Sequence, residues 1–169
     1  GEVNWNWKWT FADMPLRTVA SSVYVKGVLL ATSGDGRGDR HMVAVATNGY
    51  GKEARPDQLW ENRKEFPYVP CPLVLGDHIY IVNDAGFVGC FEPLTGKKVW
   101  FERLAGAKFY ASPLIIAGNI YAASEQGDVF VIAADPKGFR LLARNELGDR
   151  FLATPAVANG RLYLRGQGH

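Results

Sequence analysis

The sequence predicts an all-β fold built from blades of four antiparallel strands, three of them complete and a fourth split between the two ends of the chain. Three observations carry this. First, one pattern recurs in "CPLVLGDHIYIVNDAG", "SPLIIAGNIYAASEQG" and "TPAVANGRLYLRGQG": a proline, an alternating apolar run, a Gly turn, then a tyrosine. Pro72, Pro113 and Pro155 are spaced 41 and 42 positions apart, and each precedes its tyrosine (Tyr80, Tyr121, Tyr163) by eight. Second, Trp60, Trp100 and Leu142 keep phase, 12, 13 and 13 positions before those prolines. Third, no segment combines helical period with helical length. A period near 40 with four short strands is the mark of a β-propeller blade, and this many blades make a partial or half propeller.

Taken in order, residues 1–12 read as the D strand of the split blade. Trp5, Trp7 and Trp9 alternate with Asn6 and Lys8, which gives a strand one aromatic face. That face suits either carbohydrate or a neighbouring blade, and the match of Trp9 to Trp60 and Trp100 favours the blade. Residues 18–64 form the next blade, whose opening "SVYVKGVLLATSG" is a weaker copy with Val23 in place of the proline. Its C–D connection, Asn48 to Gln58, is polar and carries Gly and Pro, as a mobile surface loop does.

Blades follow at 69–104 and 111–147. In the second of these, "LIIA" and "NIYAAS" meet at Ala117-Gly118-Asn119, a hairpin signal. Glu125-Gln126-Gly127 turns into "DVFVIAA", and Pro136-Lys137-Gly138 into "FRLLARNEL". Residues 153–166 supply strands A and B of the split blade, and the whole of 1–169 is one domain. A lone four-stranded sheet buries too little, so Trp9, Trp60 and Trp100 are expected to pack between blades.

Composition excludes several classes. The formal charge of +2 with scattered basic residues implies no nucleic-acid partner. The apolar runs are about a third of a membrane helix, so no membrane span is expected. No leader is visible, and a start at Gly1 leaves an upstream segment open. Cys71 and Cys90 are too few for a disulfide scaffold or a zinc site and fall on non-adjacent strands, so they read as small buried hydrophobes.

Candidate binding residues come from the loop face that B–C and D–A connections share. "SGDGRGDR", Ser33 to Arg40, occupies the B–C slot that "NDAG" and "SEQG" fill more briefly. It lacks the Gly-Lys-Ser/Thr of a phosphate loop, and Arg37 takes the middle ligand place of a calcium loop. It therefore reads as an enlarged turn whose Asp35, Arg37 and Asp39 can touch a partner. Tyr68, Phe109 and Phe151 each lie four positions before their proline, Lys108 and Arg150 five, and Arg17 six before Val23. Such a rim of aromatics and cations suits a protein or a small anionic ligand; the alternative is that the aromatics staple the loops down. His41, His78 and His169 fall at unrelated repeat positions, so no catalytic residue and no metal ligand is assigned.

"GCFEPLTGKKVWFERL", Gly89 to Leu104, has an acidic residue, Thr95-Gly96 and then Val99-Trp100. With the Ser112-Pro113 lead-in and the "G-x-(I/L)-Y" strand B, it resembles the repeat of the PQQ-like (pyrroloquinoline quinone-like) β-propellers. That family includes quinoprotein dehydrogenases and an outer-membrane assembly lipoprotein. The resemblance implies about half of an eight-bladed ring, either part of a longer chain or a half that pairs with a second copy. It also implies an extracytoplasmic, periplasmic setting. The function expected first is a non-catalytic binding or assembly module that completes its ring as a homodimer or other self-association, with no cofactor. The alternative is a fragment of a quinoprotein oxidoreductase holding PQQ with calcium. Those dehydrogenases carry adjacent cysteines at the cofactor, whereas Cys71 and Cys90 are 19 positions apart.

Overall fold

The computed structural model of the chain describes residues 3, 5–9, 17–35, 37–48 and 53–169. Strands β1 (Val23–Val25), β2 (Val28–Gly34), β3 (Arg40–Asn48) and β4 (Arg55–Arg63) form one antiparallel sheet in chain order. The same arrangement recurs in β5 (Leu73–Leu75), β6 (His78–Val82), β7 (Phe87–Phe91) and β8 (Lys98–Arg103). It recurs again in β9 (Leu114–Ile116), β10 (Asn119–Ala123), β11 (Asp128–Ala133) and β12 (Leu141–Glu146). A hairpin of β13 (Ala156–Ala158) and β14 (Arg161–Tyr163) begins the fourth sheet. The fold is all-β, and no α-helix occurs among the described residues. β1 touches β5 and β5 touches β9, so the first strand of each blade lies innermost.

Each β1-β2 type hairpin closes on two residues. Lys26-Gly27, Ala117-Gly118 and Asn159-Gly160 all take positive φ, the backbone that the twist of a tight hairpin demands. These turns set the alignment between blades: Val23 corresponds to Leu73, Leu114 and Ala156. Ser22, not Val23, therefore stands at the proline position, and Ser21 matches Cys71, Ser112 and Thr154. The expected loop from Asn48 to Gln58 is also shorter than its composition suggested. Pro56 pairs with Thr47 and Gln58 with Val45, because ladder bonding extends past the polar residues.

Every sheet offers two apolar faces, since side chains alternate across a strand. Val28, Leu30, Met42 and Ala44 of the first blade bury against Ile79, Ile81 and Phe91 of the second. Tyr80, Val82, Val88 and Cys90 leave the second blade's other face and meet Ile120, Ala122, Phe130 and Ile132. The third junction is thinner, with Ala123 and Val129 against Phe151 and Leu164.

Two tryptophans tie these junctions. The Trp60 indole N–H donates to the Pro93 carbonyl at 2.9 Å, and Trp100 to that of Asp135 at 2.8 Å, each in the next blade's turn after its third strand. Leu142 does not continue this series. A bulge in the outer ladder, between Val131 and Ile132, skips Leu142, so Ala143 faces Val131 as Trp100 faces Cys90. Leu142 is left 45% exposed.

A second tie runs along the inner strands. The Ser21 N–H donates to Cys71 Sγ at 3.2 Å, Cys71 N–H to Ser112 Oγ at 3.0 Å, and Ser112 N–H to Thr154 Oγ1 at 3.2 Å. This belt of one bond per blade joins residues 41, 42 and 50 positions apart.

Of the expected D strand at 1–12, residues 1, 2, 4 and 10–12 lie outside the described residues, and 5–9 join none of the sheets. Trp5, Trp7 and Trp9 instead lie half-buried over Leu29, Ala31, Val43 and Val45, around a space of about 180 Å³. Trp9 lies tilted against Trp7 and edgewise to His41, at the B–C end of β3 rather than at a C–D turn.

Gly96 is the position where the Trp60 tie is most sensitive. Its φ is +68°, and a Cβ there would lie 2.8 Å from the Trp60 ring. Gly96→Ala should therefore cost about 1–3 kcal/mol of stability, seen as a lower urea midpoint, while Gly118→Ala, with open space around it, costs less.

Candidate functional site

The B–C and D–A segments gather at one end of the blades and are bonded to one another across the junctions. The enlarged turn of the first blade is organised by Asp35, whose Oδ1 accepts from the N–H groups of Arg37 at 2.9 Å and Asp39 at 3.0 Å. The Asp39 N–H is the largest cause holding the Asp35 carboxyl below its ordinary pKa. Asp35 is thus engaged within its own loop, and Gly36 lies outside the described residues. Asp39 is exposed, with Oδ1 3.5 Å from His41 Nε2. Arg37 is exposed on the turn, and Arg17 is exposed where its backbone pairs with that of Gly34.

The residue that does most in this turn is Arg40. It caps the loop through the carbonyls of Asp35 and Asp39 and reaches into the second blade to hold Asp84 through Nε and Nη2. Asp84 also accepts from the Tyr68 N–H at 2.9 Å, and the Arg40 guanidinium lies 5.2 Å over the Tyr68 ring. A planar fork against a carboxylate with an aromatic beneath is a strong, directional arrangement. The next junction repeats the logic with other residues. Arg150 pairs with the Glu125 carboxylate, and the Glu125 N–H donates to the Lys108 carbonyl at 2.8 Å. The Lys108 side chain remains exposed.

The aromatic rim expected from the sequence does not form. Phe109 is fully buried and Phe151 nearly so. Phe109 packs edgewise on Phe130, and Phe151 closes the core of the third junction. The D–A segments turn these rings inward because apolar area is gained there and lost at a wet mouth. In the second blade the buried ring is Phe66, against Trp60 and Phe91, which leaves Tyr68 half-exposed at the surface.

The last B–C segment is held by Asp149. Its carboxylate accepts from the N–H groups of Arg150, Gln167 and Gly168, with His169 Nδ1 at 3.3 Å. Beside it Arg150, Leu152, Ala153, Arg165, Gly166 and Gln167 line a shallow groove of about 370 Å³. Arg165 is exposed there and had no repeat signal to mark it. The fold also places buried His41 between Asp39 and Glu61, with Nδ1 2.7 Å from Glu61 Oε1; the pairing joins strands 20 positions apart, so spacing alone missed it.

No group of three His, Cys, Asp or Glu that could hold a metal occurs among the described residues. Cys71 belongs to the inner belt, while Cys90 is buried in β7 with its thiol pushed up to about 11 by burial, so the two form no adjacent pair.

Comparison with known proteins agrees with this architecture. A family model described as "Outer membrane protein assembly factor BamB" matches residues 84–169, half of the chain. The chain belongs to the PQQ-like β-propeller family. This PQQ-like chain is 24% identical over 160 residues to the outer membrane protein assembly factor BamB of Shewanella oneidensis, covering 90% of the chain. It spans only 38% of that curated relative's length. The BamB crystal structure from Moraxella catarrhalis superposes with a TM-score of 0.64 at 17% identity, over 89% of this chain and 42% of that one. A europium-containing methanol dehydrogenase superposes at 0.59 and 15%, over 80% and 26%. Both structures share the propeller fold with it.

The Asp149 carboxyl is held below its ordinary value of 3.8, first by the Gly168 N–H. A depressed carboxyl steadies the fold above its ordinary value and loses that effect as pH falls through the folded one. Protection of the Gly168 amide, taken as its exchange rate relative to an unstructured peptide at the same pH, should hold at pH 5–7 and fall on acidification below about pH 4; in Asp149→Ala it should be low throughout.

Proposed function

We propose that the chain is a protein-binding module for assembly, built of PQQ-like blades, which presents its loop face to a partner and completes its ring by self-association. The observation that carries this reading is the bonding of the loop face across blades. Arg40–Asp84 and Arg150–Glu125 fasten successive B–C and D–A segments together, while Arg17, Lys108 and Arg165 stand exposed around them. A face that is pre-organised in this way binds with little ordering cost. Its surplus of cations favours a partner segment bearing carboxylates, or a small anionic ligand in the groove beside Arg165.

The name shared by the family model and the Shewanella relative, an outer membrane protein assembly factor, supports assembly as the task. It also supports an extracytoplasmic place of action. No helix among the described residues is long and apolar enough to cross a membrane. The reading calls for no cofactor and no catalytic residue.

Photo-crosslinking groups placed at Lys108 and Arg165 should yield discrete protein adducts when the chain is expressed in a bacterial envelope. Groups at Lys26 and Lys137, on the opposite turns, should not. Adducts of equal yield from both ends, or none from the loop face, would overturn the reading.

A further inference from the structure

We infer that the turns at the C–D end of the first junction form a binding site for a free α-amino acid with an aliphatic side chain. The site is separate from the loop face and lies between two complete blades. It starts from one residue. In the third blade the C–D turn is bonded to the A–B turn. The Ala134 N–H donates to the Gly118 carbonyl at 2.9 Å, one step beyond the Asn119–Ala133 pair. In the second blade, extending the ladder two steps past the Ile79–Phe91 pair places His78 beside Glu92 and Asp77 opposite Pro93. Proline has no N–H to donate, so the bond that closes the third blade cannot form. A cavity of about 230 Å³ opens beside Pro93, between the turns of the two blades.

The walls of this cavity carry both signs of charge. Lys26 of the first blade pairs with Asp77 of the second at 3.1 Å, with 40% and 70% of their side chains exposed. A pair so exposed is weak and changes partners at little cost. Glu92 Oε2 accepts from the Thr95 hydroxyl at 2.9 Å, and Oε1 has no partner among the described residues. His78 is half-buried, and its imidazole also has none. Pro93 and the exposed Leu94 make the remaining wall apolar. A simple anion meets Asp77 and Glu92 here, and a simple cation meets Lys26. A zwitterion satisfies both signs: its ammonium goes to Glu92 and Asp77, its carboxylate to Lys26 and His78, and its side chain to Pro93 and Leu94. The cavity has the volume of about seven waters, which matches a small aliphatic amino acid rather than a peptide. The walls are already fixed. The Trp60 indole holds the Pro93 carbonyl, and Gly96 lies against its ring. Binding therefore requires little ordering.

Titration of the isotope-labelled chain with L-leucine at neutral pH should shift the amide resonances of Lys26, His78 and Thr95 together and to saturation, with a Kd of about 1 mM or below. Leucine amide lacks the carboxylate and isocaproate lacks the ammonium; each should bind about tenfold more weakly. Glu92→Gln keeps an oxygen for Thr95, and Lys26→Gln alters an exposed turn residue. Each should weaken leucine about tenfold and leave the urea midpoint unchanged. Lys137→Gln, on the third blade's C–D turn, should have no effect. The analogues are tested on the wild-type chain, so their result does not depend on a variant folding. No saturable shift with leucine up to about 10 mM overturns the site. Affinities for both analogues equal to that for leucine, or leucine binding unchanged in both Glu92→Gln and Lys26→Gln, also overturn it.

Discussion

The rest of this structure depends on one constraint: a four-stranded sheet with two apolar faces must be covered on both. Ile79 and Ile81 point one way from β6 and Tyr80 and Val82 the other, and all four are buried because a blade stands on each side. No single blade here has a core of its own; the cores lie between blades. Burial is lower in β12, β13 and β14.

Given that packing, the polar bonds across junctions do a different job. The two indole donors, the inner belt and the Arg40–Asp84 pair add modest stability each, but they set the rotation and height of one blade against the next. They also divide the molecule by function. At the C–D end, Trp60 and Trp100 fasten blades together. At the loop end, charged pairs do the fastening and leave other cations unspent. A rigid frame under exposed charge is a sound basis for recognition, and it needs no reaction chemistry of its own.

Residues singled out by recurrence divided into two groups. Phe109 and Phe151 recur because each closes an interblade core, so their period reports packing. Lys108 recurs with Arg150, yet one side chain is exposed and the other is paired with Glu125. Arg40, which binds Asp84 across blades on the loop face, is 44 residues from it and has no counterpart in the shorter turns. A periodic signal finds what every blade needs; it passes over what a single junction uses.

The sequence by itself determined the strand content, the blade period, the Trp60 and Trp100 anchors and the tight hairpins. These depend on alternation and turn chemistry, which act over a few residues. The tertiary structure decided the rest. It moved the third anchor position from Leu142 to Ala143 through a ladder bulge, and the first blade's lead-in from Val23 to Ser22 through hairpin register. It turned two predicted rim aromatics inward and linked Arg40 to Asp84. Each of these outcomes depends on which surface a neighbouring blade presents, and that surface comes from residues roughly forty positions away.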